Sequence, residues 1–596
     1  MSDDKIGNKT GSEGLSETDK GYYEDLYNDL PKEVVDILMQ THPLMGKNDD
    51  LEATAYRARR PQRREDVEEV KEARMQQVGN EINEVSRAPQ QEGDPTRYVS
   101  RRARNAESAH TSAPKGNTMN QDDYDDGIQM PDYLVMTSGN TSGAPICRDD
   151  NDAIAELSYL CDCMLSHNRK IRIRADDSVM DYYKDEPYMI RRSRGYAPLP
   201  VMVSAPWKGQ VLAVGGELKN SFCIGVDGRF YLSPYVGDLE DLRTVNALKE
   251  TIGRLETLLE VEPPVVVSDM HPRYNSTMIA EESGLPVIKV QHHYAHILSC
   301  MAENDCEEKV IGVSFDGTGY GTDGTIWGGE ILIADYQGFT RLGSIQPFVQ
   351  VGGDVSAKEG WRIAVSLIWQ NTGDLEKTLD TVRKLGLCTE QEAKVLVTMA
   401  QRKLNAVTST SAGRLFDGVS AILGIRRAST FEGEASTALE FAAEAWRAQE
   451  IQKKNVDTVS GERTDIKRNV ETTGADEKPE TGNRKIILNT GDIVAHLVRE
   501  KLEGEDSGKL AYEFHRALAD EILAACEEAE QETGIRKVAL SGGVFQNRLL
   551  LELVDDGLAE KGFEVLKHSL IPPNDGGIAL GQAAYGMAYV QRHRQV

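Results

Sequence analysis

From about residue 129 onward this sequence reads as an α/β protein. Short β-branched runs (Val265–Asp269, Val287–Val290, Val310–Phe315) alternate with stretches of helical apolar spacing (Val245–Leu259, Gln291–Ala302). That alternation argues for layered sheets and helices. Hydrophobic residues make up 39% of the chain, enough for substantial cores. A length of 596 residues leaves room for more than one domain.

The first 128 residues have a different texture. Tyr22–Met39 carries helical apolar spacing, Arg57–Val85 alternates basic and acidic residues in the manner of a solvated helix or a disordered segment, and Gly93–Asp126 reads as a linker. Globular texture begins at Pro131. A short strand, Tyr133–Met136, is expected to run into Thr137–Gly143 and then a helix over Asn151–Leu165. A second module begins near Gln210 with a hairpin (Val211–Gly215, Phe222–Val226). A polar insertion, 453–484, is expected to be disordered; from Ile486 the pattern is helix, strand, loop, helix. No fixed-period repeat is visible.

Lys and Arg number 68 against 96 Asp and Glu, a net charge of −28. That balance argues against a broad nucleic-acid surface, while leaving room for a small buried phosphate pocket. The 8 cysteines include no C-x-x-C pair, so a zinc ribbon has no support and reduced thiols are expected. Met1–Lys20 lacks the apolar core of a secretory signal, and no run of about 18 apolar residues occurs. The expectation is a soluble, cytoplasmic protein with no membrane partner.

Several segments carry chemistry. On a helix beginning at Gln291, His292 and His296 stand at i and i+4 on one face, a spacing that can chelate a metal ion. Three of the 11 histidines fall within five residues there; His293 is rotated away. Ser314–Gly324 is a strand running into a glycine-rich loop with Asp316, Gly317, Thr318, Gly319 and Gly321. Such a loop can let backbone N–H groups approach phosphate, or be an ordinary hairpin. Ser541-Gly542-Gly543 with Asn547 reads as a turn between a strand and a helix, suited to a nucleotide at a helix N-terminus. Asp575, before a small-residue helix, is either a third, anionic metal ligand or an N-cap. Arg414 and Asp417 either line a phosphate cleft or pair on a surface.

Taken in order, Val290–Glu303, Asp316–Gly321, Gly352-Gly353-Asp354, Trp361-Arg362, Ser411–Asp417, Phe514-His515-Arg516, Ser541–Asn547 and Pro572–Gly581 resemble the C-terminal half of the HypF-type hydrogenase-maturation carbamoyltransferases. That half is similar to the transferase that makes threonylcarbamoyl-adenosine in tRNA. The resemblance implies the two-lobed fold of actin-like ATPases and sugar kinases over 208–596. Upstream, Thr137–Asp150, Asp176–Ser178 and Arg191–Pro198 resemble the end of the family's YrdC-like domain, placing a partial domain at 129–205.

What the resemblance implies is an ATP-dependent carbamoyltransferase. Carbamoyl phosphate would be the source, carbamoyl-adenylate the intermediate, and the C-terminal cysteine of a HypE-like protein the acceptor. His292, His296 and Asp575 would hold iron or zinc. The loops at Asp316–Gly321 and Ser541–Asn547, with Gly353, Asp354, Arg414 and Asp417, would hold the nucleotide and its Mg2+, and Ser138, Asn140, Arg192 and Arg194 would bind ATP or the adenylate. Acylphosphatase-like and paired C-x-x-C segments and the front of the YrdC-like domain are not recognisable, so a separate chain is expected to supply the missing steps. The competing readings are an O-carbamoyltransferase acting on a small molecule and a non-catalytic nucleotide- and metal-binding scaffold.

Overall fold

The computed structural model describes residues 97–98, 137–141, 143–459 and 485–593. Everything described belongs to one unit, Glu69–Val596. The expected helix Tyr22–Met39, the charged run Arg57–Val85, the strand Tyr133–Met136 and the insertion beyond Val459 lie outside the described residues.

Two short pairs precede the main body. Within the stretch expected to be a linker, β1 (Arg97–Tyr98) pairs antiparallel with β2 (Met164–Leu165). β3 (Val179–Tyr183) and β4 (Glu186–Arg191) form a hairpin. The first large sheet contains β5 (Pro200–Met202), β6 (Gln210–Ala213), β7 (Cys223–Val226), β8 (Arg229–Leu232), β9 (Val266–Asp269) and β10 (Val287–Val290), in the order β10-β9-β6-β7-β8-β5. The second contains β11 (Val310–Tyr320), β12 (Ile326–Asp335), β13 (Gly338–Ile345), β14 (Phe348–Val351), β15 (Ala406–Ser409), β16 (Ile486–Leu488), β17 (Lys537–Ser541) and β18 (Glu564–Leu566).

One topological plan appears twice. β6, β7 and β8 run antiparallel, and β9 and then β10 extend the sheet in parallel from the other side of β6. β11, β12 and β13 do the same, with β17 and then β18 parallel beyond β11. This is the duplicated α/β plan of actin-like ATPases. In the second lobe β14, β15 and β16 are additions to it.

Two helices lie in the core that joins the sheets. The helix His292–Glu303 is buried at every position from His292 to Ala302, as a helix enclosed on all sides must be. Gln291 caps it by accepting a hydrogen bond from Tyr294 N at 2.9 Å. The helix Ile578–His593 crosses it at Gly581, where an added Cβ would lie 1.9 Å from Ala295 O. One apolar cluster runs from Val211, Ala213 and Phe230 through both helices to Leu332, Ala334 and Ala539.

The hairpin β3–β4 is docked on the second lobe. Tyr188 Oη donates to Phe545 O (2.8 Å), Met189 N to Ser569 O (2.8 Å) and Asn574 Nδ2 to Ile190 O (3.0 Å). Lys184 Nζ stands 2.7 Å from Asp555.

Three local expectations change. β11 does not end at Phe315; it continues to Tyr320 through an irregularity between Phe315 and Gly319. The helix expected over Asn151–Leu165 spans Asp150–Leu157, because Leu160 and Leu165 find no surface to cover and are 63% and 89% exposed. The helix Glu434–Val459 runs into the expected insertion. Among the described residues no helix is long and apolar enough to cross a membrane.

Candidate metal centre and the adjoining cleft

The carboxyl ends of parallel strands are where α/β sheets place their ligands, and the site lies there. β9 ends in Asp269, Asp316 follows Phe315 in β11, and β17 ends in Ser541. One ligand atom each from His292, His296, Asp316 and Asp575 lies within 4.8 Å of all the others. His292 Nε2 is 3.3 Å from Asp316 Oδ2 and 3.5 Å from Asp575 Oδ1. His296 Nε2 is 3.8 Å and 3.6 Å from the same two oxygens. His292 Nδ1 meets Asp269 Oδ2 at 2.8 Å, the outer carboxylate that fixes a ligating imidazole's tautomer. Asp316 Oδ1 accepts from Gly543 N at 2.9 Å.

The histidines and carboxylates of the cluster favour each other's charged forms. Burial pulls the His292 pKa down, but Asp575, Asp269 and Asp316 outweigh it and hold it well above the ordinary value. His296 is raised in the same way by Asp316 and Asp575 against its burial. Burial pushes the Asp575 carboxyl up, yet His292 and His296 bring it down to about 2. Asp316 is likewise held well below the carboxylate range. The residues fit a divalent ion. His296 Nε2 is buried with no hydrogen-bond partner, an atom that needs one. Two imidazoles and two carboxylates suit zinc or iron. His293 stays outside the cluster, buried against Gln291, its pKa driven well down by burial.

Glycines bring the neighbouring loops close. A Cβ on Gly319 would lie 2.4 Å from His293, and one on Gly413 would lie 2.9 Å from Gly317 Cα. Gly321 packs in the same way on Trp327. Ser411 caps the helix Ala412–Ile422, accepting from Arg414 N, and its hydroxyl donates to Gly317 O. Thr318 is exposed on this loop. Gly542, with φ +102, donates its N–H to Pro573 O at 3.0 Å.

The other expected residues make local contacts. Arg414 Nε donates to the buried Asp417 at 2.7 Å. Asn547 caps the helix Arg548–Glu560 and donates through Nδ2 to His515. Ser541 is fully buried against His568. Asn574, not Asp575, is the N-cap of the following turn. Gly353 and Asp354 lie at the end of the β14–β15 pair opposite Ser409, next to Asn405. Ser138 and Asn140 bond each other and close a turn onto Ala144. Arg194 is on the surface beside Asp177.

Arg192 is different. It is 7% exposed; Nη2 donates to Tyr196 O and Leu199 O, while Nε and Nη1 have no partner. It lines a cavity of about 170 Å³ together with Arg191, Lys219, Tyr235, Asn574 and Gly576. The last two flank Asp575. Lys219 Nζ reaches Glu432 at 2.5 Å; burial works against the ammonium, but Glu432, Asp575 and Asp316 keep its pKa raised. Asp269, Lys219 and Gly216, whose Cβ would stand 3.3 Å from Asp575 Oδ2, were not singled out from the sequence. For Asp269 a signal existed: it ends a run read as β-rich.

The profile described as "HypF Kae1-like domain" matches residues 207–303, and "Carbamoyltransferase, Kae1-like Domain, second subdomain" matches 312–582. A carbamoyltransferase HypF homolog from Cupriavidus necator is 34% identical over 380 residues, covering 63% of this chain and 90% of that protein. The chain belongs to the HypF carbamoyltransferase family. The probable carbamoyltransferase HypF of Methanocaldococcus jannaschii is 33% identical over 464 residues, 77% of this chain and 56% of that relative. The family's crystal structure of full-length HypF in the phosphate- and nucleotide-bound form superposes with a TM-score of 0.67 at 35% identity, over 76% of this chain and 56% of that one. Upstream, residues 126–193 match the Sua5, YciO and YrdC profile described as "Telomere recombination". The chain thus spans about half the length of the first full-length curated relatives it matches.

Proposed function

We propose that this chain is the carbamoyl-transferring part of a hydrogenase-maturation enzyme. It passes a carbamoyl group from carbamoyl-adenylate to the C-terminal cysteine of a HypE-type acceptor, on the way to the cyanide ligands of a nickel–iron centre. The observation that carries this reading is the convergence of His292, His296, Asp316 and Asp575 beside a cavity in which a buried arginine lacks partners for Nε and Nη1.

The residues divide the work. The guanidinium of Arg192 offers the adenylate phosphate a charge-assisted contact, with Lys219 nearby. His292, His296, Asp316 and Asp575 would hold the metal, iron or zinc, which when bound supplies Lewis-acid polarisation of the acyl oxygen. Asp269 keeps His292 in the ligating tautomer, and Gly543 N–H keeps Asp316 aimed. The acceptor sulfur reacts as thiolate, its proton passing to buffer. A C–S bond forms at the carbamoyl carbon, the C–O bond to the phosphate breaks, and AMP leaves with the electron pair. ATP with Mg2+ and carbamoyl phosphate supply the adenylate in this reading.

The test incubates the metal-loaded full chain with preformed carbamoyl-adenylate and a peptide ending in the acceptor cysteine, followed by intact-mass analysis. The peptide gains one carbamoyl group, and His292→Ala abolishes the gain. Modification no greater than in an enzyme-free control overturns the reading in favour of a non-catalytic scaffold. Transfer only to a small-molecule hydroxyl moves the chain to the O-carbamoyltransferase branch.

A further inference from the structure

Glu303 is the last residue of the helix that carries His292 and His296. Its Oε1 accepts hydrogen bonds from three consecutive backbone N–H groups, those of Ser569 (3.1 Å), Leu570 (2.6 Å) and Ile571 (3.0 Å). Its Oε2 lies 2.8 Å from His568 Nδ1, and His568 Nε2 lies 2.8 Å from Ser541 Oγ. A carboxylate so placed can only accept. The network therefore places a proton on His568 Nδ1, and in the neutral imidazole Nε2 then accepts from the Ser541 hydroxyl.

The order Ser–His–Glu is that of a hydrolase relay, but Ser541 is fully buried and His568 is 3% exposed. No substrate carbonyl reaches that hydroxyl. What the relay does reach is the backbone around the metal cluster. Ser569–Ile571 leads directly into the Pro572–Asn574 turn that delivers Asp575. Ser541 opens the loop whose Gly543 N–H holds Asp316 Oδ1, and Gly542 N–H ties that loop to Pro573 O. Glu303 itself ends the helix bearing the two histidines. One carboxylate thus joins the three segments that supply or buttress all four candidate ligands.

We propose that Glu303, acting through His568 and Ser541, is a positioning residue that sets the spacing of His292, His296, Asp316 and Asp575 and hence the affinity of the cluster for its metal. The inference rests on the metal centre of the proposed function, and not on the carbamoyl chemistry. Groups outside the ligand shell commonly govern metal affinity in this way.

Glu303→Gln preserves volume and the acceptor for the three backbone N–H groups. Its amide nitrogen donates to His568 Nδ1, forces the other tautomer, and turns an N–H toward Ser541. Ser541→Ala removes the relay from its other end. Fe2+ and Zn2+ affinities of the full chain are measured by chelator competition without substrate, alongside metal-free melting temperatures and the visible spectrum of the Co2+-loaded protein. Glu303→Gln weakens metal binding about 10- to 100-fold and shifts the Co2+ bands; Ser541→Ala moves both in the same direction by less. Affinities within about twofold of the unmodified chain in both variants, with superimposable Co2+ spectra, overturn the proposal. If Glu303→Gln does not fold, Ser541→Ala decides alone. Labelling of Ser541 by a fluorophosphonate also overturns it, because the hydroxyl would then be a nucleophile. A chain whose metal affinity depends on Glu303 but that transfers no carbamoyl sinks the functional reading only. A chain that takes up neither ion sinks both.

Discussion

His515 shows how a single buried side chain can link pH to stability. It sits inside the helix Ser507–Thr533, with Nδ1 on Ala511 O at 2.7 Å and Nε2 accepting from Asn547 Nδ2 at 2.8 Å. Burial pulls its pKa from 6.5 down to about 4. Between those values the unfolded chain binds more protons than the folded one, so the contribution is full above about pH 6.5 and falls as the pH drops toward 4. The size is about 3 kcal/mol. Urea unfolding of the native chain and of His515→Gln at both pH values should show the gap between them narrowing by about that amount in acid. Glu440, raised to about 7 by burial, acts with the opposite sign but is common to both proteins and cancels in the difference. Parallel pH profiles would mean that His515 is solvated in the native state. At this scale the sequence placed His292, His296 and Asp575 in the centre, and the structure joins them. It read Asp316 as a phosphate-loop residue, because a carboxylate after a strand looks the same whether it faces phosphate or imidazole.

Elements were legible where their own periodicity or capping decided them. The histidine-bearing helix follows from Gln291 and the histidine spacing, and Ser411 opens its helix as the turn pattern suggests. Where an element depends on what covers it, the pattern misled: residues beyond Leu157 have helical spacing without a core to bury. Helix–helix contact was also invisible. Gly581 reads as one small residue among several, yet an added Cβ there would lie 1.9 Å from the backbone of the histidine-bearing helix. Gly581→Ala should force these helices apart. Overpacking of this kind costs about 1–3 kcal/mol, and separation pulls the histidines from Asp575. A lower melting temperature together with weaker Zn2+ retention against a chelator is the expected result. Loss of stability without any change in Zn2+ retention would show that the ligands do not depend on this crossing.

At the largest scale, one apolar cluster spans both lobes and the upstream hairpin is hydrogen-bonded to the second lobe, so the described lobes are expected to unfold together. Met189, fully buried at that seam, is the test. Met189→Ala removes buried volume at a cost of about 2–5 kcal/mol. By hydrogen exchange, β9 in one lobe and β17 in the other should share one opening free energy, and both should fall together in the variant. Destabilisation confined to the hairpin would make it an appendage instead.

The sequence by itself determined the α/β class, the ligand-bearing helix and the order of the glycine turns. Each of these follows from spacing or turn chemistry within a few neighbouring residues. Only the tertiary structure decided that the fold repeats one strand plan twice, because topology is conserved by pairing geometry while insertions such as β14, β15 and β16 erase any fixed period. It alone brought Asp269, Asp316 and Arg192 to the centre and its cavity, and Glu303 to the relay behind it. Those side chains act on groups far away in the sequence, and no local pattern records what a folded chain places opposite them.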